Sequence, residues 1–101
     1  MDPECRIITN ELIPGVRACL AKQMMRRYGV TQQEIAKKLG IAQVAVSKYM
    51  NMKYSEPVAR AVRKASRSIS KSGLMQEIIR SKNPDEANRK IERFCEKQAY
   101  A

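Results

Sequence analysis

Histidine and tryptophan are missing from this 101-residue chain, and aromatic residues are scarce, at one Phe and four Tyr. Without imidazole, the commonest general base of enzymes and the usual His-containing zinc site are both excluded. No carboxylate pair, nucleophile with a base, phosphate-binding loop or metal-ligand spacing replaces it, so an enzyme is not expected. No apolar run approaches the roughly 18 residues that a membrane span requires. The start, Met1-Asp2-Pro3-Glu4-Cys5, has no basic stretch leading into an apolar core, so no signal peptide is expected and the cytoplasm is the expected location. Three cysteines, Cys5, Cys19 and Cys95, form no even set, which in a reducing compartment argues against structural disulfides. Sustained alternation of apolar and polar residues is also missing, while spacings of three and four recur, so the fold class is all-α.

What the chain has in excess is positive charge. Lys and Arg number 20 against 10 Asp and Glu, a formal net charge of +10. A polyanion is the expected partner, because each Lys or Arg laid against a phosphate releases a condensed counterion. The length suits one compact domain with a modest core.

Helical periodicity predicts a bundle of five to six helices. The first opens at Pro14 and stops at Gly29, with Val16, Leu20 and Met24 one turn apart and Arg17, Lys22, Arg26 and Arg27 covering the remainder. The second starts at a capping box, Thr31-Gln32-Gln33-Glu34, turns Ile35, Ala36 and Leu39 inward, and ends at Gly40 in a left-handed stop. The third covers 43–50 with Val46, Tyr49 and Met50 inward, and Ala42 stands where a capping hydroxyl would normally sit. The fourth covers 56–72, with Val58, Ala61, Val62, Ala65 and Ile69 on one side. Its other side carries Arg60, Arg63, Lys64, Arg67 and Lys71 against Glu56 alone. A short amphipathic helix over 74–81 (Leu74, Met75, Ile78, Ile79) and a last helix over 84–98 (Ala87, Ile91, Phe94, Cys95) follow a break at Gly73. The closing helices are nearly charge-balanced, so the basic excess lies in the first seventy or so residues. That asymmetry predicts a nucleic-acid part over 1–73 and C-terminal helices over 74–101 that complete the core and serve association.

The informative stretch is 31–50. Two short helices crossing steeply through a tight turn need a small residue at the crossing, Ala36, and positive φ at the corner, Gly40, with Ile41 plugging it and Val46 packing back. The pattern Gln32-x-Glu34-Ile35-Ala36-x-x-Leu39-Gly40-Ile41-x-Gln43-x-x-Val46-Ser47 resembles the Cro and lambda-repressor-like, or XRE-type, helix-turn-helix family. The resemblance implies double-stranded DNA as partner. Gln32 would clamp a phosphate at the start of the second helix, beside Thr31. Gln43, Val44, Ser47 and Lys48 would read bases from the third, and Asn51 and Lys53 would return to the backbone. Chemistry points the same way: Gln bonds adenine through N6 and N7, Lys donates to guanine O6 and N7, and Val touches a thymine methyl. Arg60, Arg63 and Arg67, directly after the motif, are expected to touch flanking phosphates. Met52 departs from the family, replacing a glycine common in its loop.

Over most of the chain the sequence also resembles a group of small archaeal transcriptional regulators, through Ile13-Pro14-Gly15-Val16-Arg17-Ala18. That group carries a cysteine near the N-terminus and a Cys-x-x-Cys pair near the C-terminus. Cys5 and Cys95 match, but Gln98 replaces the last cysteine, which weakens an iron–sulfur or zinc site; no cofactor is expected. Cys19 and Cys95 are expected to be buried small hydrophobes and Cys5 an exposed thiol. The leading function is a sequence-specific transcriptional regulator acting as a homodimer on a palindrome. The alternatives are an antitoxin-like interaction module and a non-specific nucleic-acid packaging protein. Neither the operator nor any small-molecule effector can be read from the residues.

Overall fold

The computed structural model describes residues 6–100, apart from the side chain of Tyr100, and among them there are six α-helices and no strand. They are α1 (Ile13–Tyr28), α2 (Gln32–Leu39), α3 (Gln43–Met50), α4 (Glu56–Ser72), α5 (Leu74–Arg80) and α6 (Pro84–Tyr100). A π-helical turn, Ile8–Leu12, precedes α1.

That turn corrects the expectation that Pro14 opens the first helix, since helical backbone already begins at residue 6. A proline inside a helix has no N–H to give, and its ring crowds the carbonyl four residues back. A π turn reaches five residues back instead, as in the Ile13 N–H to Ile8 O bond, and so widens the helix just ahead of Pro14. The helix continues through the proline and ends at Gly29 as expected.

α1 is the hub, with α2, α3, α4 and α6 all packed against it. Its crossing with α4 is tight at Gly15, where a Cβ would stand 2.5 Å from that of Ala61. Only a residue without a side chain lets the two backbones approach that closely. Leu20, Ile35, Leu39, Val46 and Ile69 are fully buried, and they share one apolar cluster with Leu74, Met75, Ile78, Ala87, Ile91, Phe94 and Cys95 of the last two helices. The core therefore crosses position 73 without a gap. Of Leu74, Met75, Ile78, Ile79, Ile91 and Phe94, the larger apolar residues of the C-terminal helices, five are buried inside the chain, and Ile79 is the exposed one, at 41%.

No helix in the described residues is long and apolar enough to cross a membrane.

Candidate nucleic-acid interface

The chain enters α2 at Thr31, whose extended backbone ends the loop and whose hydroxyl accepts the Glu34 N–H at 3.1 Å. The same hydroxyl donates to the Glu34 carboxylate at 2.9 Å. The capping box is thus rearranged: Glu34 takes the Thr31 hydroxyl proton, where the usual box would have it take the Thr31 backbone N–H. Thr31 thus caps α2 at the exposed start of the helix. Gln32 beside it is half-buried. α2 closes on Gly40 at φ 66°, with Ile41 N–H donating to Ala36 O at 3.0 Å, the six-residue closure of a Schellman motif.

Three residues later the chain is helical again. Ala42 is extended and offers no side-chain cap to α3. Val46 is the one buried residue of this helix, while Tyr49 and Met50 lie half-buried against the core. The four residues expected to read bases occupy one outward face: Gln43, Val44 and Lys48 are exposed, and Ser47 is half-buried. Val44 is 63% exposed, an apolar side chain turned to solvent.

The segment after α3 reuses the closure of α2. Lys53 N–H donates to Lys48 O at 2.8 Å around Met52, which sits at φ 55° where α2 has its glycine. Met52 thereby keeps the loop geometry of a glycine at the cost of a left-handed backbone, about 1–2 kcal/mol for a residue with a Cβ. The Asn51 amide donates to Ser47 O at 3.0 Å, and Lys53 is exposed.

α4 begins at Ser55, whose hydroxyl accepts the Val58 N–H. Arg60, Arg63, Lys64, Arg67 and Lys71 all lie exposed along it. Arg63 pairs with Glu56 at 3.0 Å, but both side chains are about two-thirds exposed, so the pair holds neither firmly. Helix α4 rests on α1, the helix that also supports α3.

Periodicity alone missed one cation in this region. Lys22 of α1 donates to the Tyr54 hydroxyl at 2.8 Å, and its ammonium stands 5.2 Å from the centre of the Tyr54 ring. This contact, 32 residues apart in sequence, pins the loop after α3 to the hub helix. Lys22 also lines a cleft with Arg26 and Arg63. The signal available in the sequence was a lone tyrosine directly after Lys53.

Cys19 and Cys95 are free and buried. Burial pushes both thiols up from the ordinary value of 9.0, Cys95 to about 12, so each stays protonated and behaves as a small apolar group. Tyr49 of α3 is also pushed up by burial. Cys5 lies outside the described residues, and among those described no three His, Cys, Asp or Glu side chains are grouped to hold a metal ion.

Two short helices joined by a left-handed glycine, the second with a supported inner face and an exposed outer one, define a helix-turn-helix protein. A family model described as Helix-turn-helix matches residues 22–71, from the second half of α1 almost to the end of α4. That segment is a helix-turn-helix domain of the DNA-binding, XRE type, in line with the resemblance carried by residues 31–50. No curated protein and no solved structure matches the chain, so the comparisons give the resemblance to small archaeal regulators no support.

Proposed function

We propose that the protein is a cytoplasmic, sequence-specific transcriptional regulator that lays α3 in the major groove of DNA and acts as a homodimer on a palindromic site. The observation that carries this reading is the outward face of α3. Gln43, Val44 and Lys48 are exposed together, on a helix fixed from behind by fully buried Val46. These side chains supply an amide for adenine, an apolar contact for a thymine methyl and a cation for guanine. Ser47 adds a hydroxyl to the same face. Around it, Gln32, Asn51 and Lys53 sit at the two ends of the motif as backbone contacts, and Arg60, Arg63 and Arg67 extend the phosphate surface along α4. Lys22, held by Tyr54, joins that surface.

A dimer follows from the size of the reading set, because one eight-residue helix reaches only a few base pairs and two half-sites a helical turn apart multiply selectivity. The interaction-module alternative needs an unpartnered apolar C-terminal face, and most of that face is buried in the chain's own core.

Selecting bound sequences from a random DNA pool tests the proposal. An enriched palindrome with half-sites about 10 base pairs apart is expected. A pool that stays random after selection would leave only non-specific packaging.

A further inference from the structure

The helix-turn-helix match stops at residue 71, yet the turn it contains is gripped from beyond that point. Three consecutive residues of α2 and its turn engage the last two helices. Lys38 donates through Nζ to Ile79 O at 2.7 Å and Ser81 O at 3.1 Å, at the C-terminal end of α5. The carbonyl of Leu39, among the last four of α2 and so lacking an intrahelical donor, accepts the Asn88 side-chain amide at 2.9 Å. At Gly40 an added Cβ would lie 2.8 Å from the Pro84 Cβ, so the turn and the first turn of α6 are in direct contact.

Asn88 is the centre of this grip. Its Nδ2 also donates to Pro84 O at 2.9 Å, and its Oδ1 accepts from Arg17 Nη2 of α1 at 2.7 Å. Arg17, expected from periodicity to lie on the surface, is half-buried, and its Nε is buried with no hydrogen-bond partner among the described residues. The guanidinium is thus oriented by Asn88. One side chain joins the hub helix, the last helix and the end of α2. The chain turns from α2 into α3 between Gly40 and Ala42, and Ala42 contributes no cap of its own.

We propose that α5 and α6 are part of the reading apparatus, and that Asn88 is the positioning residue that sets the angle of α3 by holding the Leu39–Gly40 corner. The inference rests on α3 being the reading helix. Its consequence is that changes at position 88, far from any base, alter sequence discrimination more than affinity for DNA in general.

Two variants of the full chain separate this from simple support of the core. Asn88→Asp keeps an acceptor for Arg17 but turns an oxygen toward the Leu39 carbonyl, and Asn88→Ala removes both partners. Amide spectra of each, without DNA, are expected to shift at 40–48 more than along α4. In titrations, preference for the selected sequence over random DNA is expected to fall about tenfold, the worth of roughly one base-edge contact. Affinity for random DNA should stay within about twofold, since phosphate contacts are untouched. Unmoved amides at 40–48 in Asn88→Asp would overturn the proposal, as would equal loss on both DNAs. Unfolding of both variants would also overturn it, by showing that Asn88 supports the core at large. Should the parent protein itself prefer no sequence, the reading of α3 fails instead, while the amide shifts still decide whether Asn88 fixes the corner.

Discussion

Helices α2 and α3 have eight residues each and close with the same backbone motif, yet their local support differs. α2 is capped by Thr31, buries Ile35, Ala36 and Leu39, and turns on a glycine. α3 starts on an uncapping alanine, buries Val46 alone and turns on a methionine in the left-handed region. The helix expected to carry the chemistry therefore has the weaker local code. A face offered to DNA cannot also be packed into the core, and an eight-residue helix with one buried side chain is not stable in isolation. Its order comes from its neighbours: α1 and α2 behind it, the Lys22–Tyr54 contact at its end, and the gripped corner at its start.

Substitutions paired across the two helices can break that comparison. The largest effect is expected from Leu39→Ala, about 2–5 kcal/mol of stability in chemical denaturation, because it opens a cavity at a fully buried position of the shared apolar cluster. Val46→Ala should cost about 2 kcal/mol. If it costs no more than a surface change, α3 is not anchored as described. At the two closures the signs should oppose. Gly40→Ala should destabilise by about 2 kcal/mol, combining left-handed backbone with the approach of Pro84, whereas Met52→Gly should stabilise by about 1 kcal/mol. A thermal shift of the same sign for both would mean the two closures are not equivalent. The smallest pair concerns the starts: Thr31→Ala is expected to lose, and Ala42→Ser to gain, about 1 kcal/mol. A neutral Ala42→Ser would show that the first amides of α3 already have partners in solution.

The same contrast explains what could be read from the residues. The bounds of α2, α3 and α4 follow from local signals: Thr31 and Glu34, Gly40, the spacing of Ile35, Leu39 and Val46, and the long apolar stripe of α4. The outward face of α3 follows in part: fixing Val46 inward turns Val44 and Lys48 outward, whereas Gln43, one turn before Val46 on its own side, is exposed as the first residue of the helix. What escaped depends on distance along the chain. Arg17 looked like surface because its partner, Asn88, lies 71 residues away. Lys22 looked like any solvated cation because Tyr54 comes from a different element. Ile79 was grouped with the apolar side of its helix because it lies one turn after Met75, yet Met75 is buried and Ile79 is exposed, a difference set by which neighbours reach that end of the helix and not by local spacing. The π turn escaped because Pro14 satisfies the rule for a helix start, and only the helical backbone ahead of it shows that the chain is already wound.

The most direct measurement is a pair of titrations, on the selected sequence and on random DNA, with Gln43→Ala and Lys48→Ala. Each variant is expected to lose about 1–3 kcal/mol on the selected sequence and little on random DNA, because base-edge contacts are lost and phosphate contacts are not. Equal losses on the two DNAs, or none on either, would contradict a base-reading face on α3.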